Sequence, residues 1–164
     1  MDFIKRYKFL FRFLGKLLGI TLFFMALITF IVTPHRMTGT SMSPAVRDGD
    51  LGLFYKPGDA YLKDVVLYEA EGGLHVGRVI AYEGQTVDFP DGGGYTVDGY
   101  APFEDVPYET AGTEGIEYPV TVPEGSVFIL NDYRPDVMDS RTYGVISQDR
   151  IEGKLLFLLR RRNF

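Results

Sequence analysis

The sequence predicts a mostly β domain carried on one apolar N-terminal helix, and three observations predict it. An uncharged run of 17 residues, Leu17 to Thr33, lies near the start of the chain. Six short segments rich in β-branched and aromatic residues follow, separated by pairs of turn residues that each contain glycine. No stretch after Pro34 has the apolar spacing of a long amphipathic helix.

The helix comes first. Counting back through Phe13-Leu14-Gly15 gives 21 residues, interrupted only by Lys16, whose long stem lets its ammonium reach the headgroups. About 20 residues at 1.5 Å rise cross the hydrocarbon core of a bilayer. Residues 1–12 therefore read as a basic cytoplasmic tail, 13–33 as a transmembrane anchor closed by Pro34, and 34–164 as an extracytoplasmic domain. A cleaved leader has a shorter apolar region and ends in a small-x-small site. Ile31-Val32-Thr33-Pro34 offers no such ending, so the anchor is expected to stay attached.

In the body, the expected strands are Leu51–Tyr55, Val65–Tyr68, His75–Ala81, Thr86–Phe89, Val127–Leu130 and Leu155–Leu159. Asp48-Gly49, Pro57-Gly58, Gly72-Gly73, Asp91-Gly92, Asp98-Gly99 and Glu124-Gly125 supply the reversals between them. The abundance of Gly (19), Tyr (11) and Phe (13) favours strands and tight turns over a helix bundle. Residues 90–125, rich in Gly, Pro and acids, read as a loop-heavy insertion or small hairpin.

Charge and cysteine content exclude several functions. Residues 1–16 hold five bases and one acid; the remainder has 12 Lys+Arg against 21 Asp+Glu, a net of −9. Such a body lacks the basic footprint of a nucleic-acid binder. With no cysteine in the chain, a disulfide framework, a thiolate nucleophile and a cysteine-bound zinc are all ruled out. The terminal Arg160-Arg161-Arg162 run reads as a solvated end, with contact to anionic lipid as the alternative.

One segment just beyond the anchor is chemically suggestive by position: Thr38-Gly39-Thr40-Ser41-Met42-Ser43-Pro44, then Asp48-Gly49-Asp50. A serine among glycine and proline is more often a turn residue than a nucleophile. This one sits where a membrane-spanning substrate would emerge, and Gly39 lets backbone N–H groups approach a reacting carbonyl.

The stretch resembles the serine-containing box of type I signal peptidases, and three more stretches match in order. Lys63-Asp64-Val65-Val66-Leu67-Tyr68 is similar to the family's Gly-Asp-Val-Val-x-Phe strand. Gly77-Arg78-Val79-Ile80-Ala81-Tyr82-Glu83-Gly84-Gln85-Thr86-Val87 is similar to its Lys-Arg-Val-Ile-Gly-x-x-Gly-Asp-x-Val box. Asn131-Asp132-Tyr133-Arg134, then Asp139-Ser140-Arg141 and Gly144, resembles its Gly-Asp-Asn-Arg…Asp-Ser-Arg-x-x-Gly box. The resemblance implies coiled antiparallel sheets or a partly open barrel on one transmembrane helix, in a bacterial cell membrane with the N-terminus cytoplasmic. It implies a serine endopeptidase that cuts exported precursor proteins, with Ser41 as nucleophile, Gly39 and Met42 at the binding site, and no metal or cofactor. The peptide is expected to bind as an added strand, with shallow pockets for small side chains.

The match breaks at the base. The family's lysine, neutral through burial so that it accepts the serine proton, is replaced by Gly77, and the serine that orients it is replaced by Val137. His75 is the candidate substitute: two residues from Gly77 on a strand, it points to the same face, and a neutral imidazole is an able base. Eukaryotic relatives use histidine, but at the lysine position itself. A lone strand histidine is more often a packing or surface residue, so that reading stays open. Lys63 reads as structural beside Asp64, and His35 as a residue of the membrane interface. Asp132, Arg134, Asp139 and Arg141 read as an ion-pair scaffold rather than as catalysts. Family-like proteins without the lysine accompany surface pilus assembly. A non-catalytic factor acting on pilin subunits is therefore the alternative to a peptidase.

Overall fold

The computed structural model describes residues 2–104 and 107–160. It divides into two units, Met1–Val32 and Thr33–Phe164.

The first unit is helix α1, Asp2–Ile31. Its segment Tyr7–Ile31 is 25 residues long and apolar enough to cross a membrane, with none of it buried against protein. At 1.5 Å per residue this segment is about 37 Å long, sufficient for a hydrocarbon core of about 30 Å. Two polar side chains inside it are satisfied locally: the Thr21 and Thr29 hydroxyls donate to the carbonyls of Leu17 and Met25, each at 2.9 Å. An apolar surrounding demands that kind of internal pairing. The helix ends at Ile31, and Val32 and Thr33, which the apolar run assigns to the anchor, instead open the first strand. Proline disfavours helical backbone in the residue before it, and β-branched Val and Thr accept the extended form readily.

The second unit carries ten strands, beginning with β1 (Val32–Arg36), β2 (Leu51–Tyr55), β3 (Val65–Ala70), β4 (Gly73–Tyr82) and β5 (Thr86–Asp88). They continue with β6 (Thr96–Val97), β7 (Val120–Thr121), β8 (Ser126–Leu130), β9 (Ile146–Ser147) and β10 (Ile151–Leu159); a one-turn helix α2, Ser140–Tyr143, precedes β9. Seven strands form one sheet in the order β1-β2-β10-β3-β4-β8-β9, and β6-β5-β7 form a small second sheet. The pairings β2–β10, β10–β3, β3–β4, β4–β8 and β8–β9 are antiparallel. The architecture is thus mostly β, of antiparallel sheets that do not close into a barrel. All six expected strands are present, and the 90–125 region contributes β6 and β7 to the small sheet.

Irregularities in the ladders coil the large sheet. Register shifts occur twice on β10 and once on β4, between Val79 and Ala81, and a bulge sharpens local twist. At Gly153 on β10, an added Cβ would lie 2.9 Å from the Tyr55 carbonyl oxygen, so two backbones meet too closely for any side chain.

Strand β8 and the segment 79–81 of β4 are buried on both faces, which is why their sequences run apolar without alternation. Val127 and Ile129 pack with Val66, Tyr68 and Val79, whereas Phe128 and Leu130 pack with Val87, Tyr95 and Val122 beneath the small sheet. A third cluster, Met37, Met42, Val46, Phe54 and Leu67, lies under the turn that holds Ser41. Arg161 and Arg162 of the terminal basic run lie outside the described residues.

Candidate active site

The segment from Met37 to Asp50 is a loop pinned at both ends. Met37 N–H donates to the Asp50 carbonyl (2.8 Å) and Gly49 N–H to the Met37 carbonyl (2.9 Å). Asp48 and Asp50 complete the closure by side chain, Asp48 accepting from Gly39 N–H at 3.0 Å and Asp50 from Arg47 N–H at 3.1 Å. The acids of the Asp-Gly-Asp sequence thus brace the serine loop. Within it, Ser43 N–H donates to the Thr40 carbonyl and Val46 N–H to the Met42 carbonyl, which wraps Ser41 into a short helical turn. Gly39 has φ +80°, a conformation open to glycine at little cost. Met42 is buried in the cluster beneath and anchors the turn, leaving Ser41 half-buried.

A second loop reaches this turn. Tyr133 N–H donates to the Ser41 carbonyl at 2.9 Å, joining the segment after β8 to the serine. That loop is held by charge. Arg141 donates from Nε and Nη2 to Asp139 at 2.9 and 2.7 Å, and also reaches the carbonyls of Arg134 and Asp136. Asp139 further accepts from Asn131 N–H at 2.9 Å, so both its oxygens are occupied. Arg134 pairs with Glu104 at 2.6 Å, and Arg78 makes a two-pronged pair with Asp132 at 2.7 and 2.6 Å. Asp132, Arg134, Asp139 and Arg141 are each at most 4% exposed. The partners Arg78 and Glu104 escape sequence reasoning because they lie 54 and 30 residues from the groups they pair with.

The two loops and β4 enclose a cavity of about 290 Å³. Ser41, Gly39 and Met42 line it, and so does His75. His75 is half-buried, its ring centroid 5.7 Å from that of Tyr68, its cross-strand neighbour, and 5.1 Å from that of Tyr143 on α2. His35 and Asn131 also line the cavity, as do Asp136 and Met138, which the sequence did not single out. His35 is therefore a cavity residue as well as a neighbour of the apolar helix; burial lowers its pKa and favours the neutral imidazole. Its position six residues before Ser41 was the available signal. Val137 and Gly77 do not line the cavity.

Gly77 is buried, and a Cβ there would lie 2.4 Å from Ile129 Cγ2 and 3.4 Å from Tyr68 Cε1. The room that a side chain at 77 needs is thus filled by Ile129, with Tyr68 in ordinary contact beside it. Tyr68 brings a hydroxyl into this filled region, and that oxygen is buried without a hydrogen-bond partner. Burial first, then the charges of Asp139, Tyr143 and Asp136, push the Tyr68 pKa far up, so the phenol stays neutral. The described residues contain no group of three or more His, Cys, Asp or Glu able to hold a metal ion.

Comparison with known proteins gives a consistent picture. The family model described as signal peptidase, peptidase S26, matches residues 10–159. A signal peptidase I from Bacillus licheniformis is 33% identical over 146 residues, covering 79% of this chain and 77% of that protein. Signal peptidase I T from Bacillus subtilis (strain 168) is 31% identical over 159 residues, covering 88% and 82%. The crystal structure of a signal peptidase I from Enterococcus faecalis V583 is 28% identical with a TM-score of 0.47, covering 62% of this chain and 98% of that one.

Proposed function

The chain belongs to the signal peptidase family, peptidase S26, and on that footing we propose that it is a membrane-bound serine endopeptidase removing signal peptides from exported proteins. The observation that carries this reading is that Ser41 and His75 line one cavity together with Gly39. In the proposed reaction, the Ser41 hydroxyl oxygen attacks the scissile carbonyl carbon while its proton passes to His75. Backbone N–H groups around Ser41 hold the resulting oxyanion. The carbon–nitrogen bond then breaks, and the imidazolium returns the proton to the departing amine. Water hydrolyses the acyl-serine by the same route in reverse, its proton taken by His75 and returned to Ser41. No metal or cofactor enters these steps.

In this reading α1 spans a bacterial cell membrane with its basic end, including Lys8 and Arg12, in the cytoplasm. The β unit then lies on the outer side, where the cleavage segment of a precursor emerges. The peptide lies extended along the cavity with small side chains at alternate positions.

The test is cleavage of an exported precursor with an Ala-x-Ala segment, by the full chain in lipid vesicles. Ser41→Ala is expected to lower the rate by on the order of 10⁴-fold or more, as removal of a nucleophile does. Undiminished cleavage by Ser41→Ala overturns the assignment. A second reading, a non-cutting factor that binds extended segments, is favoured by the filled space at Gly77, where the family's lysine has no room. Binding of the same precursor without any cleavage is its signature.

A further inference from the structure

Ser41 and His75 leave a charge question open. An imidazole that takes a proton from serine becomes a cation, and in serine hydrolases a carboxylate commonly orients it and offsets that charge. Three acids of the loop after β8 are near enough in sequence to serve. Asp132 is held by Arg78 through both oxygens. Asp139 is fully buried, with four hydrogen bonds from Arg141 and the Asn131 amide. Asp136 differs from both: it lines the cavity with Ser41 and His75, and among the described lining residues it is the only carboxylate.

Its other surroundings agree. The two rings that flank His75 are those of Tyr68 and Tyr143. Both phenols have raised pKa values, through burial first, and the charges of Asp136 and Asp139 contribute to each. Asp136 is thus within electrostatic reach of the two rings that flank His75. One of its oxygens accepts from Met138 N–H at 3.0 Å, and its backbone carbonyl accepts from Arg141 and Asn131, which fixes the loop and leaves a second oxygen for another donor.

We infer that Asp136 is the positioning residue for His75, so that Ser41, His75 and Asp136 form a serine–histidine–carboxylate set in place of the missing lysine pair. The Asp136 carboxylate accepts from one ring N–H of His75, which leaves the opposite nitrogen unprotonated to receive the Ser41 proton. In this structure the imidazole is held by ring contacts, and such catalytic hydrogen bonds often tighten only once substrate is bound. The assignment rests on the peptidase reading for its chemistry, but the pairing itself can be measured apart from it.

The experiment uses the full chain with isotopically labelled histidine, saturated with a non-cleavable Ala-x-Ala peptide. The ¹⁵N shifts of His75 report its tautomer at a pH where the ring is neutral. Wild type is expected to show a single tautomer and Asp136→Asn a mixture. The asparagine keeps an oxygen for Met138 N–H, so the loop should remain folded. On a cleavable precursor, Asp136→Asn should lower kcat on the order of 10²-fold or more with little change in KM, since misoriented bases lose rate rather than binding. Asp136→Glu should recover part of it. Identical His75 shifts in both proteins, with Ser41-dependent cleavage at the wild-type rate in Asp136→Asn, overturn the inference and leave the peptidase reading standing. A tautomer change without cleavage by wild type upholds the pairing and removes the peptidase reading. Loss of cleavage in His35→Phe with none in Asp136→Asn overturns the inference and moves the proton to the second imidazole on the cavity.

Discussion

Gly77→Ala is expected to destabilise the β unit although it adds a single methyl group. The new Cβ would lie 2.4 Å from Ile129 Cγ2, against about 3.5 Å or more for a relaxed carbon–carbon contact. One group must therefore move by about 1 Å, and Ile129 is fully buried between β4, β3 and α2 with nowhere to go. Overpacking of this kind costs about 1–3 kcal/mol. For a unit of this size that lowers the thermal midpoint by about 3–10 °C. Trimming the obstacle, Ile129→Ala, costs about 2–5 kcal/mol alone through the cavity it leaves. In the double variant the alanine Cβ occupies part of that cavity, so the combined loss should fall short of the sum by about 1–2 kcal/mol. The assay is denaturant or thermal unfolding of the full chain in detergent, read by near-ultraviolet circular dichroism on the unit's many tyrosines. A neutral Gly77→Ala, or strict additivity in the double variant, refutes the reasoning that Ile129 fills this space. The same geometry governs any attempt to restore a lysine–serine pair: Gly77→Lys with Val137→Ser should fold and function better when Ile129 is also reduced.

Two further outcomes follow from the charged scaffold and the buried phenols. Glu104→Gln leaves Arg134 buried with its charge uncompensated, because Glu104 is the acid paired with it; the loss should be about 3 kcal/mol, larger than for an exposed pair, and a near-zero change in unfolding free energy contradicts it. At high pH the folded unit should lose stability. Tyr68 and Tyr95 have pKa values raised first by burial, so their contribution is fully present below the unfolded tyrosine value of about 10 and declines as pH rises above it. Ultraviolet titration should show these phenols ionising together with unfolding, and independent ionisation of a still-folded protein is the contrary result.

The four resemblance-bearing stretches and the strand positions were legible because they depend on short-range order. Leu51–Tyr55 is one strand as its composition requires, and the Gly-containing pairs fall where the chain turns. The apolar helix was legible for the same reason, apart from Val32 and Thr33 at its end and the basic segment before residue 13, which is helical from Asp2. Strands β6, β7 and β9 were not: each has two residues, too few to carry a period-two pattern, and long-range pairing alone defines them; nor was β1, where Pro34, His35 and Arg36 break any apolar alternation.

By itself the sequence determined which chemistry the chain has available: a serine in a glycine-bearing turn, two histidines, no cysteine, and glycine and valine where a lysine and its partner would stand. Only the tertiary structure decided which of these groups meet. His35, Ser41, His75 and Asp136 are separated by up to about a hundred residues and belong to different strands and loops, yet they line one cavity. Asp139 and Asp132, as acidic and as near in sequence, are taken by arginines instead. Residue type and local spacing set what a side chain can do, whereas partner choice depends on which distant backbones are packed together. At Gly77 the packing goes further: Ile129 occupies the space itself, a fact that no local pattern around residue 77 contains.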